Sequence, residues 1–388
     1  MLIGIPKEIM YKENRVAALP ETIEKFIKLG FNVLVETKAG AGAFAYDDKY
    51  REAGAQIAAD AAEVFDRSDV ILKVKEPMFN EQFNKHEIDM LKEGQILITF
   101  LHPAAPSNHG DVKKLQEKNI TAFTMDGIPR ISRAQRMDPL TSMSAITGYK
   151  AIIIAAGHFP KFVPMIGTSI GMIKPANILV IGTGVVGLQA IATGKRLGGI
   201  VKAIDIRPAA KEEAASVGAK VVDFDAPPEL VVGEGGYAKA LSEEWLEKER
   251  QVLAPIVAES DIIILSALIP GEVAQHVITK KMVESMKPGS VIIDVSIDQG
   301  GNCALTDPGK ELMHNGVYIC GIKNIPGSVP VHSSWLYANN LYYFVENLFK
   351  NGADEFDMTD EIIKGALVTH RGKLYHEGML KAMGLNDH

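Results

Sequence analysis

Four polar residues stand where short apolar runs end, which is where side-chain chemistry collects if those runs are strands of parallel sheets. Arg15 lies in the loop after the first run, Lys75 ends VILKVK, His102 follows QILITFL and Asp298 follows VIIDVS. A guanidinium and an ammonium can hold a carboxylate and polarise a carbonyl, an imidazole can act as general acid and base near neutral pH, and a carboxylate can orient water or an amine. That set suits reversible oxidation of an amino acid. Each residue also has a plainer reading: a surface ion pair for Arg15, a solvated strand terminus for Lys75, a satisfied loop histidine for His102, and a turn former before Gly300 and Gly301 for Asp298. His158, His276, His314, His332, His370 and His376 have no comparable strand-end partners and are read as structural.

A second constellation is Gly182-Thr183-Gly184-Val185-Val186-Gly187, directly after the run Ile178 to Ile181 and opening a helical pattern. The first glycine permits a tight turn, the second lets backbone approach a pyrophosphate, and the third lets helix pack on strand. Phosphate then meets the amino end of a helix. An acidic residue is expected about 20 residues further on, at the end of the next strand, and Asp205 stands there. Its carboxylate can bind both adenosine ribose hydroxyls and repel a 2′-phosphate, which favours NAD(H) over NADP(H) as cofactor. Arg207 is the complication, since it can contact a 2′-phosphate, pair with Asp205 or reach the pyrophosphate. Ala267 and Leu268, just past the strand Asp261 to Leu265, complete the cofactor-binding residues expected of this unit.

These residues need elements to position them. In the first third, strands are predicted at Leu2 to Ile5, Phe31 to Glu36, Val70 to Lys75, Gln95 to Leu101 and Ile120 to Met125, alternating with helical patterns at Pro20 to Leu29, Asp47 to Gly54, Asp60 to Asp66 and Gly110 to Lys118. A second series begins at Asn177, with strands at Ile178 to Ile181, Ile200 to Asp205, Lys220 to Phe224, Asp261 to Leu265, Ser290 to Val295 and Gly316 to Cys320. Helical patterns at Thr141 to Phe162 and Ser333 to Asn351 lie between and after them. The alternation predicts an α/β chain of two doubly wound, Rossmann-like domains with a cleft between them. The outer, substrate-binding domain is expected to be discontinuous, 1–138 plus 325–388, around an NAD(H)-binding domain at 139–324.

The 388 residues carry 41 basic and 48 acidic side chains, a net charge of −7, so no basic surplus exists to neutralise a phosphate backbone and nucleic acid is excluded as a partner. Two cysteines, Cys303 and Cys320, are too few for a disulfide framework and lack zinc-site spacing, so no metal is expected and a reducing, cytoplasmic compartment fits. The amino terminus has an apolar stretch broken at Lys7, too short for a signal peptide. The uncharged segment from Pro175 to Gly194 approaches the length of a bilayer crossing, but its glycines suit a strand, turn and helix better than direct membrane insertion.

The whole chain resembles the family of alanine dehydrogenase and the NAD(H)-binding domain I of proton-translocating nicotinamide nucleotide transhydrogenase, through IPKEIMYKENRVAALP, the VKEP segment around Lys75, MKPGSVIID and NIPGSVP. The dehydrogenase side of the resemblance implies Arg15 and Lys75 as substrate ligands, His102 in FLHPA as acid/base and Asp298 in IDQGG as the aspartate that assists water addition. Transhydrogenase domain I usually lacks the lysine, histidine and aspartate. The transhydrogenase side is carried by PRISRAQRMD, resembling a nucleotide-contacting loop with Arg130, Gln135 and Asp138, by Thr141 where serine is common, by GEGGYAKALS with Tyr237, and by the tail GALVTHRGKLYH. Arg136 departs from the serine often found in that loop. The complete charged set makes the leading expectation an NAD(H)-dependent dehydrogenase of a small L-amino acid, L-alanine to pyruvate and ammonia. The alternative is the separately encoded alpha-1 subunit of transhydrogenase, passing hydride from NADH to NADP in a partner subunit beside a membrane subunit. That alternative would place it at the inner-membrane surface. A homo-oligomer is implied on either side of the resemblance.

Overall fold

A computed structural model describes residues 1–231, 233, 238–269, 273–352 and 356–385. The chain forms two compact units, Met1–Met143 with Pro326–His388, and Ser144–Ile325. The first division falls inside the helix Pro139–His158, five residues beyond the expected boundary, because Met143 on that helix's first turns is packed in the core of the first unit.

In the first unit, Leu2–Ile5, Asn32–Glu36, Val70–Leu72, Ile96–Thr99 and Thr121–Thr124 are almost wholly buried, as parallel strands covered on both faces must be. The sheet runs Gln56–Ala58, Asn32–Glu36, Leu2–Ile5, Val70–Leu72, Ile96–Thr99, Thr121–Thr124, Leu367–His370, Lys373–Leu374. Its first six strands are parallel, while Leu367–His370 joins antiparallel to Thr121–Thr124 with a bulge between Leu367 and Thr369. The carboxyl-terminal segment thus completes the sheet begun by residue 2. Helix Pro330–Leu348 adds Tyr337, Leu341, Phe344, Val345 and Leu348 to the core around Ile3, Val35 and Phe123. Burying such side chains stabilises the unit by roughly 1.5–3 kcal/mol each.

The second unit has the order Lys220–Val221, Ile200–Ile204, Asn177–Ile181, Ile262–Leu265, Val291–Asp294, Val317–Cys320, Glu311–His314. All but the last strand are parallel, and Glu311–His314 closes the edge antiparallel. The chain winds outward from Asn177–Ile181 on one side and then resumes on its other side at Ile262–Leu265. The carboxyl end of Asn177–Ile181 is therefore the switch point of a doubly wound sheet, where ligands of such folds bind. Pro175 to Gly194 resolves into that strand, a turn and the helix Val185–Arg196. By length and composition the helix among the described residues that could cross a membrane is instead Pro139–His158, of which Ala151, Ile152 and Ala155 are packed in the core of this unit.

Candidate functional site

Adjacent strands of the first unit deliver the expected groups in the loops at their carboxyl ends. Leu2–Ile5 leads to Arg15, Val70–Leu72 to Lys75, Ile96–Thr99 to His102, and Thr121–Thr124 to a fourth residue, Asp126, which the sequence pattern does not single out. Arg15 is not the surface ion pair of its plainer reading. It is 3% exposed, its Nε donates to Glu13 Oε1 at 2.7 Å and its Nη2 to Glu13 Oε2 at 2.5 Å, a two-pronged pair in the interior. Nη1 meets Met143 Sδ at 3.1 Å.

The strand expected to run from Val70 to Lys75 is regular only over Val70–Leu72, and Lys73, which follows, is buried. Lys73 Nζ lies 3.5 Å from Glu8 Oε2 and 3.1 Å from Glu87 Oε1, with all three side chains at 2% exposure or less. Glu8 accepts N–H bonds from Val74 at 2.6 Å and Lys75 at 3.3 Å, Glu87 accepts one from Met78 at 2.9 Å, and Tyr337 Oη donates to the Lys73 carbonyl at 2.9 Å. Three buried charges hold the backbone that carries Lys75. Burial pushes the Glu8 carboxyl up to about 7 against the pull of Lys73, and Lys73 itself is raised because the two carboxylates outweigh its desolvation. Lys75 Nζ has no carboxylate within 4.0 Å among the described residues, and Glu76 Oε2 beside it is buried without a hydrogen-bond partner.

His102 adopts the left-handed conformation at φ 44°, a backbone state that costs a non-glycine residue about 1 kcal/mol or more. What holds it there is a stack on Phe100 at 5.6 Å and 8° and an ion pair of Nδ1 with Asp126 Oδ2 at 3.3 Å. Asp126 Oδ1 also accepts the His102 N–H at 3.3 Å and the Thr124 hydroxyl. Burial opposes the imidazolium, yet the hydrogen bond and charge of Asp126, with Glu76 behind, raise His102 above the ordinary histidine range. Burial likewise opposes ionisation of Asp126, and His102 overcomes it, drawing the carboxyl down to about 2. The dyad leaves Nε2 as the atom free to exchange a proton.

The loop with Arg130, Gln135 and Arg136 exposes those three side chains and is fixed from beneath. Arg133 reaches Asp360 through Nη1 at 3.0 Å and Nη2 at 2.5 Å, and Asn340 donates to the Arg136 carbonyl at 2.8 Å. Asp138 and Thr141 pair with each other, Oδ2 accepting the Thr141 hydroxyl at 2.6 Å and Oδ1 its N–H at 3.0 Å, which caps the helix that follows.

In the second unit, Gly182 has φ 84°, and a Cβ there would stand 2.6 Å from the Ala267 nitrogen. A Cβ on Gly187 would overlap the Gly182 carbonyl oxygen, while one on Gly184 would meet nothing within 4 Å. The turn is thus tight on the protein side and open before Val185 and Val186, which begin the helix. That is the shape a pyrophosphate requires. Asp205 is 7% exposed and accepts five hydrogen bonds from Thr183 and Arg207. Burial is outweighed by those donors, so its carboxyl lies below the ordinary aspartate range. Buried Glu249 is pushed up to about 7 by desolvation and by the charge of Asp205.

Ala267 is held by Asn302, whose Oδ1 accepts its N–H at 3.0 Å and whose Nδ2 donates to its carbonyl at 2.9 Å, and Leu268 beyond it is 37% exposed. Asp294 Oδ2 accepts the N–H groups of Asn302 and Cys303, closing the loop that presents Asp298. Asp298 is exposed and lies 3.7 Å from Lys323. Tyr237 lies outside the described residues. Asp126, Glu13, Glu8, Lys73, Glu87 and Asn302 are the site residues the sequence does not disclose; the only local signals are Glu13 two places before Arg15 and Asp126 at the end of an apolar run.

Residues 4–147 match the N-terminal domain, and 151–377 the C-terminal domain, of the family described as alanine dehydrogenase/PNT. The first portion of the split NAD(P) transhydrogenase subunit alpha of Rhodospirillum rubrum is 43% identical over 98% of this chain and 99% of that protein. The alanine dehydrogenase of Methanococcus maripaludis is 33% identical over 99% of this chain and 97% of its own length. Among solved structures, a transhydrogenase from Sinorhizobium meliloti superposes with a TM-score of 0.82 at 37% identity, covering 97% of this chain and 99% of that one.

Proposed function

The chain belongs to the alanine dehydrogenase/PNT family, and from that membership we propose that it is an NAD(H)-dependent oxidoreductase acting as the alpha-1 subunit of an NAD(P) transhydrogenase. The observation that carries this reading is the 43% identity to such a subunit over its whole length, against 33% to an alanine dehydrogenase. It reverses the order expected from the charged residues alone. NAD(H), when bound, gives or accepts hydride at its nicotinamide. The chain's role is to hold it: the glycine turn and the amino end of Val185–Arg196 take the pyrophosphate, Asp205 takes the adenosine ribose, and the exposed Arg130 and Gln135 are the candidates to contact the nicotinamide half. The partners are a subunit that binds NADP(H) and a membrane subunit, which places the chain at the membrane surface. Mixing the purified chain with an NADP-binding subunit should give NADH-dependent reduction of an NADP analogue that neither protein catalyses alone. Full activity without the partner would overturn the reading.

One observation favours a second activity, oxidation of a small amino acid. His102 and Asp126 form an acid/base dyad beside Lys75, whose ammonium faces no carboxylate within 4.0 Å among the described residues, and presenting a dinucleotide to another subunit has no use for either. In that reaction Lys75 and Arg15 hold the carboxylate, His102 moves the proton and Asp298 assists water addition. Alanine-dependent reduction of NAD by the purified chain tests it. No turnover with alanine or other small amino acids, under conditions where NADH binds, removes it.

A further inference from the structure

A cavity of 830 Å³ opens on the second unit where its parallel strands begin, at the opposite end of the sheet from Gly182. Asn177 and Ile200 are the first residues of their strands and Asp261 directly precedes Ile262–Leu265, and all three line it. The chain leaving helix Pro139–His158 supplies Phe159, Lys161 and Phe162. The hairpin of Ile166–Thr168 and Gly171–Ile173 supplies Ile173, with Lys174 after it. Short contacts fix these walls: the Ala176 N–H donates to the Val163 carbonyl at 2.9 Å, and Gly289 lies so close that a Cβ there would stand 2.9 Å from Pro160. The cavity is therefore built before any ligand arrives, and its volume is in the range of about 300–1,000 Å³ typical of ligand pockets.

Its lining has two kinds of chemistry. Phe162 is 56% exposed, Ile173 39% and Ile200 38%, apolar surface that water covers poorly. Beside them stand three ammonium groups against one carboxylate, on a chain whose net charge is −7. Lys161 is partly satisfied, since its Nζ lies 3.5 Å from Asp261 Oδ1 and 5.7 Å from the centre of the Phe159 ring. The other Asp261 oxygen accepts the Asn177 N–H at 2.9 Å. Lys287 has only a long bond, 3.4 Å, to the Glu259 carbonyl. Neither Lys174 nor Lys287 has a carboxylate within 4.0 Å among the described residues. A cationic ligand would meet those two ammonium groups, and a neutral apolar one would leave them unused.

We propose that this cavity is a second binding site, for an amphipathic anion: an apolar chain against Phe159, Phe162, Ile173 and Ile200, and one carboxylate or phosphate head on Lys174 and Lys287. The inference does not depend on the reading of the Gly182 turn, because the two sites lie at opposite ends of the same strands. A free fatty carboxylate and the head and first methylenes of an anionic phospholipid share this chemistry.

Displacement of the fluorescent anion anilinonaphthalene sulfonate from the full chain at low salt tests it, with laurate, octanoate and dodecanol as competitors. Laurate should compete at least 10-fold better than dodecanol, which lacks the charge, and at least 10-fold better than octanoate, which lacks four methylenes. Lys174→Ala/Lys287→Ala should weaken laurate by roughly 10-fold. Ile200→Trp, which fills the cavity from a strand start, should abolish binding, and Ile173→Trp does so from the hairpin should the strand variant fail to fold. Flotation with phosphatidylglycerol vesicles but not phosphatidylcholine vesicles, lost in the tryptophan variant, identifies a lipid as the source of the anion; laurate binding without flotation identifies a free carboxylate. Equal competition by laurate and dodecanol, or laurate affinity untouched by the lysine and tryptophan variants, overturns the proposal. So does a dimer in sedimentation that those variants dissociate and laurate leaves intact, since a second copy then fills the cavity.

Discussion

Replacing Asp126 by Asn removes one charge from the His102 dyad and keeps the side chain's shape. The magnitude follows from Asp126, which is 18% exposed at its side chain and whose carboxyl is drawn from 3.8 to about 2 even though burial pushes the other way. That lowering is worth about 2 kcal/mol in favour of the ionised form. Thr124 and a backbone N–H supply some of it, and the imidazole is 45% exposed, so screening leaves about 1 kcal/mol for the ion pair itself. The pH window follows from the two shifts. A raised histidine stabilises fully below its ordinary 6.5 and loses that contribution as pH rises through its folded value, whereas a lowered aspartate stabilises above its ordinary 3.8 and loses it as pH falls toward 2. Asp126→Asn should therefore cost about 1 kcal/mol near pH 5.5 and clearly less near pH 8.5, measured by denaturant unfolding at both. The His102 ring proton resonance, assigned by its absence from His102→Asn, should titrate at lower pH in the variant. A histidine midpoint that stays put, or a stability loss equal at both pH values, refutes the dyad and with it the case for proton chemistry at this position.

Gly187→Ala forces the helix Val185–Arg196 off the Gly182 carbonyl; NADH affinity should fall at least 10-fold with a lower Tm, and titration of the folded variant with unchanged affinity would count against the pyrophosphate site. Glu249→Gln removes a buried carboxyl raised from 4.5 to about 7, a group that costs stability progressively as pH rises through that interval, so the variant should match wild type near pH 4.5 and exceed it by up to about 3 kcal/mol near pH 8. Equal thermal stability at pH 8 would contradict the burial of an ionised Glu249. Lys73→Met strands Glu8 and Glu87 without a counter-charge and should destabilise the first unit by about 3–5 kcal/mol, read by urea unfolding; a loss under 1 kcal/mol would contradict the buried ion group.

What can be read from the sequence is what local rules govern. The Gly182 turn is one case: left-handed backbone at Gly182 and contact between Gly187 and the Gly182 carbonyl involve residues five apart, so the spacing alone discloses them. His102 and Lys75 are also legible, as polar residues after apolar runs. Their partners are not. Glu8 meets the Lys75 backbone across 67 positions and Asp126 reaches His102 across 24, and only strand order brings such pairs together. The strand predicted through Lys75 is regular only over Val70–Leu72, and the carboxylates that meet the Lys73 side chain are ones no alternation pattern can see. Gln56–Ala58 and Glu311–His314 are hidden as short edge strands with exposed positions, whereas Leu367–His370, an interior strand, is hidden because it pairs antiparallel through a bulge. Short edge strands carry too few alternating positions to stand out from a loop.

The same distinction bears on function. Overall identity ranks the transhydrogenase subunit above the dehydrogenase, yet identity is summed over cores that either activity needs. The residues that would separate the activities are few, and the first unit spends charge on supporting them: buried Glu13 against Arg15, the buried Glu8–Lys73–Glu87 group under Lys75, and Asp126 against the half-exposed His102. Buried ion groups are at best weakly stabilising compared with apolar packing, so stability alone does not account for two of them, with the half-exposed His102–Asp126 pair beside them, bordering one set of strand ends. Positioning does. A pair or triad that fixes an arginine, a lysine and a histidine has a purpose if those side chains meet a small charged molecule, and much less if the unit merely frames a dinucleotide. The proposed transhydrogenase role therefore rests on overall identity, whereas the charge network is what makes an assay with amino acids worth running on the same preparation.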